Sequence, residues 1–220
     1  MHFFSFVHKW WGQLLIFVLL CAGILGGLVL YSWRDGVSKD KSAVINNYVR
    51  VTDYADPSFG DIDAPIQIYE FADFGCPYCL QMAQMMPEIV EAFGGKVRWV
   101  FKDFPIVELH ESSQMAAEAG QCAFAQDKFL EIYELLFSEQ PDQSKDNMYY
   151  FAEKAGLDMA KFRECFDSRR YKSEVESDLR EGIGLGINGT PTWVINGTKF
   201  SGVIDKQQFM VLINEALKKP

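Results

Sequence analysis

Two cysteines stand three residues apart in the run Cys76-Pro77-Tyr78-Cys79. On a helix that spacing brings both thiols within one turn, where a disulfide can close between them. A thiol at a helix N-terminus meets unpaired backbone N–H groups and the positive end of the helix dipole. Both favour the thiolate, drawing the pKa below the free value of about 8.5. The thiolate is the species that attacks in disulfide exchange; it forms a mixed disulfide that a second thiol, one turn deeper, resolves. Cys76 is therefore the candidate nucleophile and Cys79 the candidate resolving thiol. Pro77 suits the first helical turn, where its missing N–H costs nothing. Zinc is the competing use of such a pair, but a zinc ribbon needs a second pair of that kind. Cys122 and Cys165 stand alone in helical sequence, and no metal or organic cofactor is expected.

The elements around the pair decide between these uses. IQIYEF, beginning after Pro65, is apolar and rich in β-branched and aromatic residues, a strand signal. A helical stretch follows the cysteines to about Phe93, where Gly94-Gly95 ends it. Val97–Phe104 reads as a second strand, stopped by Pro105. The pair thus opens the helix of a strand–helix–strand unit, the setting of a redox motif. From about Leu109 to Gly184 the pattern becomes amphipathic helices, whose charged runs read as solvated faces. Strand signals return at Thr192–Ile195, Asn196-Gly197 makes a hairpin turn into Thr198–Val203, and a helix over Lys206–Lys218 closes the chain. The expected fold class is α/β, with an all-helical block inserted into a sheet-and-helix frame. INGT occurs at Ile187–Thr190 and again at Ile195–Thr198; both copies read as turn chemistry and not as glycan acceptors.

Composition narrows the function classes. The chain has 220 residues, 49% of them hydrophobic, so disorder is excluded, and its net charge of −9 argues against a nucleic-acid binder. Five cysteines are too few for a disulfide-scaffold protein. No charge lies between Lys9 and Arg34, and Leu14–Tyr31 is an unbroken run of apolar and small residues bracketed by Trp10, Trp11 and Trp33. A spanning helix needs about 20 such residues, whereas a signal-peptide core has about 7–15 and a small-residue cleavage site, which is missing here. The stretch is expected to be an uncleaved anchor, with Cys21 one of its apolar residues. Residues 32–60 are mixed and polar and read as a linker with a short helix around Ser42–Arg50. Counting positive charges alone would put the C-terminal side inside; an exchange-type redox site belongs in an oxidising compartment, and that argument takes precedence.

YEFADFGCPYC (Tyr69–Cys79), VFKDFP (Val100–Pro105), GTPTWVING (Gly189–Gly197) and the helical block between them resemble the DsbA-like thiol:disulfide oxidoreductases. The resemblance covers roughly Pro65 to the C-terminus. It implies a thioredoxin-like domain over 61–108 and 185–220 and a helical insertion over 109–184; the tail (1–11), the expected transmembrane anchor (12–33) and the linker (34–60) lie outside the match. Cys76 and Cys79 then match the exposed nucleophile and the buried resolving thiol. Pro191 matches a cis-proline facing them, with Thr190 before it, and backbone there pairs with a bound peptide as an added strand. Glu70 matches a buried acid under the disulfide, Lys102 its basic neighbour on the adjacent strand; a structural ion pair is the equal alternative. His110 resembles a histidine often found at the start of the block, with a helix-entry hydrogen bond as its expected role. Met82, Met85 and Met86 are expected in core and groove packing. Members can also carry a second bridge, here Cys122–Cys165, a loop of about 43 residues contributing roughly 4 kcal/mol.

The implied activity is disulfide donation to exported proteins. The implied partners are reduced or misfolded exported clients and a membrane redox protein that restores the active-site state, with the soluble domain on the periplasmic or other extracytoplasmic side of the cell membrane. Pro77-Tyr78 and Thr190 are shared with isomerising and reducing relatives, so isomerase or reductase stays open. So does a metal-binding or chaperone module built on the same cysteines.

Overall fold

Side-chain alternation along two central strands decides what each face of the sheet covers. The structure, a computed structural model, describes residues 49–53 and 56–218. β2 (Ile66–Ala72) and β3 (Val97–Asp103) run parallel, with Glu70 opposite Phe101 and Phe71 opposite Lys102. β1 (Ser58–Phe59) pairs antiparallel with the outer side of β3. β4 (Thr192–Ile195) pairs antiparallel with β2, and β5 (Thr198–Ser201) with β4, giving the order β1-β3-β2-β4-β5. Ile66, Ile68, Trp99 and Phe101 point into the larger apolar core, while Phe71 and Val194 join Val51, Phe104 and Ile187 in a smaller one. Successive strand residues face opposite sides, so these are the two faces of one sheet.

The helical stretch after the cysteines is broken. α1 (Pro77–Ala83) and α2 (Met85–Phe93) meet at Gln84, where a single helix is expected from the sequence. Pro87 accounts for the break: it has no N–H to give the Ala83 carbonyl four residues back, and its ring crowds that carbonyl. α2 ends at Gly94, whose φ of 49° lies in the left-handed region that glycine tolerates at helix ends.

Between β3 and β4 the chain makes α3 (Ser113–Phe124), α4 (Phe129–Ser138), α5 (Lys145–Lys154), α6 (Met159–Asp167) and α7 (Lys172–Gly184). α8 (Lys206–Ala216) follows β5, its N-terminus capped by the Asp205 carboxylate. The inserted helices share a core with the sheet. Tyr133 of α4 packs edge-on against Trp99 and Phe101, ring centroids 5.5 and 5.6 Å away. Phe137 sits 4.8 Å from Phe74, just before the cysteine pair. Burial of such rings, with about 0.5–1.5 kcal/mol more for each favourable pair, joins the insertion to the frame. A disulfide links Cys122 of α3 to Cys165 of α6, their Cα atoms 5.9 Å apart.

The expected linker differs from expectation in its described part. Ser58–Phe59 is a strand, Val49 and Arg50 are not helical, and the Val49 N–H donates to the Gly197 carbonyl at 2.8 Å. An uncovered β3 edge would leave backbone groups unpaired, and Phe59 gains contact with Trp99, ring centroids 5.1 Å apart. The remainder of the expected short helix, the N-terminal tail and the anchor at 12–33 lie outside the described residues. Among the described residues, no helix is long and apolar enough to cross a membrane.

Candidate active site

Cys76 is the N-cap of α1, extended at φ −81° and ψ 121°, with Pro77 in the first turn. The turn that carries it is held by Asp73, whose carboxylate accepts from the Gly75 N–H at 2.7 Å, the Ile106 N–H at 2.8 Å and sits 2.8 Å from His110 Nδ1. His110 closes so tightly on the turn that a Cβ on Gly75 would lie 2.4 Å from the His110 Cβ, so only glycine fits there. The Cys76 N–H donates to the Asp73 carbonyl at 2.9 Å, and the Cys76 carbonyl accepts from the Cys79 and Leu80 N–H groups. Tyr78 is 59% exposed beside it, Cys76 only 5%, and Cys79 is fully buried; both cysteines are free thiols.

The two thiols are pushed apart in acidity. The Cys76 pKa is drawn down to about 5, first by the Cys79 thiol donating to its sulfur. Burial opposes this, and the neighbouring Thr190 and the N–H groups of Cys79 and Tyr78 lower it further. Those amides lie in the first turn of the helix, at the positive end of its dipole. Burial pushes the Cys79 thiol well above its ordinary value, and its bond to Cys76 and the charge there push the same way. The Thr190–Pro191 peptide is cis, and Cys76 Sγ lies 3.4 Å from the Thr190 carbonyl oxygen. Sequence positions 76, 79, 190 and 191 are therefore assembled in one place.

Glu70 and Lys102 are not partners, contrary to the expected pairing. Glu70 is opposite Phe101 in the β2–β3 register, so Lys102, one residue on, points to the other face. There its ammonium meets Asp178 at 2.5 Å, Asp56 at 2.8 Å and Glu181 at 3.2 Å. It serves a buried ion cluster joining β3, α7 and the segment before β1. Glu70 is completely buried on the face of Cys79. It accepts from the Trp99 indole N–H at 2.9 Å through Oε2, while Oε1 has no hydrogen-bond partner. Burial raises its pKa to about 8, with the Trp99 bond opposing, so the carboxyl is largely protonated at neutral pH.

Other sequence candidates fall into structural places. His110 bonds Asp73 as described, and Met82, Met85 and Met86 are buried in the larger core. Sequence reasoning did not single out Asp73, Trp99, Gln140 or Gln143. Gln140 Nε2 donates to the Cys76 carbonyl at 2.9 Å, and buried Gln143 donates to the Phe74 carbonyl at 2.8 Å. An Asp two residues before a Gly is a recognisable turn signal and could have found Asp73. Nothing local marks the glutamines, which reach the turn across 64 and 69 positions.

A cysteine pair at a helix start, a cis-proline facing it and helices inserted in a five-stranded sheet define a thiol:disulfide oxidoreductase fold. The family model described as Thioredoxin matches residues 52–215. The chain belongs to the thioredoxin family. A thioredoxin-like oxidoreductase from Silicibacter pomeroyi DSS-3 is 25% identical, with a TM-score of 0.66 over 76% of this chain and 95% of that one. Oxidised BdbD from Bacillus subtilis is also 25% identical, with a TM-score of 0.65 over 75% and 94% of the two chains. The thiol-disulfide exchange protein alpha-DsbA2 from Wolbachia pipientis, 21% identical, shares the fold with a TM-score of 0.67 over 83% and 97%. Among curated proteins, a Na(+)/H(+) antiporter NhaA 3 from Salinispora tropica is 33% identical over 159 residues, covering 72% of this chain and 24% of the relative. The chain thus spans about a quarter of the length of such antiporter relatives.

Proposed function

We propose that the chain exchanges disulfides with exported proteins, with Cys76 as the attacking and attacked sulfur and Cys79 as its resolving partner. The observation that carries this reading is the placement of the pair. Cys76 caps the helix start beside the cis Thr190–Pro191 peptide, its Sγ 3.4 Å from the Thr190 carbonyl oxygen, and Cys79 is fully buried behind it. That arrangement draws the first thiol towards thiolate and holds the second protonated. In the donating direction, a client thiolate attacks Cys76 Sγ of the closed pair and Cys79 leaves as a thiolate. A second client thiolate then attacks the client sulfur of the mixed disulfide, and Cys76 leaves. The client loses two electrons and the pair gains them. The leaving Cys79 takes up a proton, for which protonated Glu70 on the same face is the nearby store. Cys76 leaves as a stabilised thiolate, which favours the reduced enzyme and makes the disulfide an oxidant. This favours an oxidase.

Isomerase or reductase is the second reading, favoured by Thr190 before Pro191 and by Pro77-Tyr78 between the cysteines. The domain is proposed to stand on the extracytoplasmic side of the membrane, anchored through residues 12–33. A membrane redox protein is proposed to reoxidise the pair. Refolding of a reduced client by the oxidised chain tests the activity, and Cys79→Ala should trap clients as mixed disulfides on Cys76. No trapped client and no client oxidation would remove the exchange reading.

A further inference from the structure

The active-site turn is held from outside the thioredoxin-like frame. Between α4 and α5 the chain makes one 3-10 turn, Gln140–Asp142. Gln143, just after it, is anchored on both sides, its Nε2 donating to the Phe74 carbonyl at 2.8 Å and the Leu136 carbonyl at 3.0 Å. From this braced turn Gln140 sends its carboxamide to the Cys76 carbonyl at 2.9 Å. That carbonyl already accepts from the Cys79 and Leu80 N–H groups at 3.1 and 3.2 Å. The third donor is therefore not needed to satisfy it. Its position gives it a different consequence. The carbonyl belongs to the Cys76–Pro77 peptide, which has no N–H of its own through which a neighbour could fix it. Gln140 restrains that oxygen from a third direction, outside the helix. Because the Cys76 N–H is itself bonded to the Asp73 carbonyl at 2.9 Å, the peptide planes on both sides of Cys76 are held and with them the direction of its Cα–Cβ bond. The sulfur is thereby kept over the Tyr78 and Cys79 amides that stabilise the thiolate.

We propose that Gln140 is a positioning residue through which the helical insertion sets the acidity of Cys76 and the reduction potential of the pair. Gln140 bonds the backbone oxygen and acts through Cys76. The inference deepens the exchange reading and rests on it for the meaning of the potential, but its acidity arm is read without any client.

Gln140→Met keeps the length and volume of the side chain and removes the donor. Gln140→Glu keeps the length and polarity, replaces the donor with acceptors and adds a negative charge. In the full chain, reduced and alkylated over a pH series, Cys76 is followed by peptide mass spectrometry. One hydrogen bond corresponds at most to roughly a tenfold change, and only the part that differs between thiol and thiolate moves the acidity, so Gln140→Met should raise the apparent Cys76 pKa measurably, by up to about one unit. Gln140→Glu should raise it further. Equilibration with glutathione should show a less oxidising pair, by up to about 30 mV for a tenfold change. A purely structural role would change thermal stability and leave both readouts in place. Wild-type acidity and potential in both variants would overturn the proposal. A raised Cys76 pKa in the two variants, with a wild-type chain that fails to exchange with clients, would support this inference and remove the functional reading alone.

Discussion

Cys76 and Cys79 differ in surroundings more than in position. One faces the amides of a helix start, the other the apolar core and the buried Glu70. The first expected outcome is a separation of their reactivities: alkylation of the reduced chain should modify Cys76 with an apparent pKa of about 5 and leave Cys79 unmodified until much higher pH. Modification of Cys79 first would reverse their roles. Glu70 gives a second outcome. Its folded pKa of about 8 lies above its unfolded value near 4.5. Between those values the folded chain holds a proton that the unfolded chain has lost, so this group's contribution to stability falls as pH rises through the window. Glu70→Gln removes that loss. Compared with wild type in the same redox state, its relative stability to urea should improve by roughly a few kcal/mol between about pH 5 and pH 9. A difference constant with pH would give Glu70 an ordinary carboxylate pKa.

At the scale of elements, register sorts the charged residues into different tasks. Lys102 is adjacent to Phe101 in sequence and across the sheet in space, so it belongs to the cluster with Asp56, Asp178 and Glu181 and not to the thiols. Lys102→Met should cost about 3–5 kcal/mol, because it leaves buried acids without their cation. It should leave the Cys76 alkylation profile of the folded fraction in place; a shift of that profile would reconnect Lys102 to the active site. This is also where the sequence was least legible. β2, β3 and β4 were readable from runs of apolar, β-branched and aromatic residues, the hairpin turn from Asn196-Gly197, Cys76 and Cys79 from their spacing, and Pro191 from the family resemblance. The face of Lys102 depends on a one-residue register between two strands, which spacing within either strand does not reveal. β1 escaped notice because two residues carry no periodicity. The break at Gln84 was legible in Pro87, whose missing N–H acts one turn upstream, and the glutamine contacts were invisible because they depend on how α4 and α5 meet the turn.

At the scale of the molecule, two linkages set what the chain tolerates. The Cys122–Cys165 bridge closes a separation of 43 residues within the insertion. Replacing both cysteines by serine should lower stability by up to about 4 kcal/mol while the folded protein retains exchange; an unchanged urea midpoint would mean the bridge constrains nothing that matters to folding. The proposed anchor sets where the chemistry happens. A reporter active only after export, fused after Arg34, should be active, and mature protein beginning beyond Gly27 would replace the anchor with a cleaved leader. The central claim, a pair whose reduced form is stabilised by the Cys76 thiolate, is tested most directly by equilibrating the full chain with glutathione buffers and measuring the Cys76/Cys79 reduction potential. A potential well above about −200 mV is expected of a disulfide donor, whereas one near thioredoxin's, about −270 mV, would contradict net oxidation of clients.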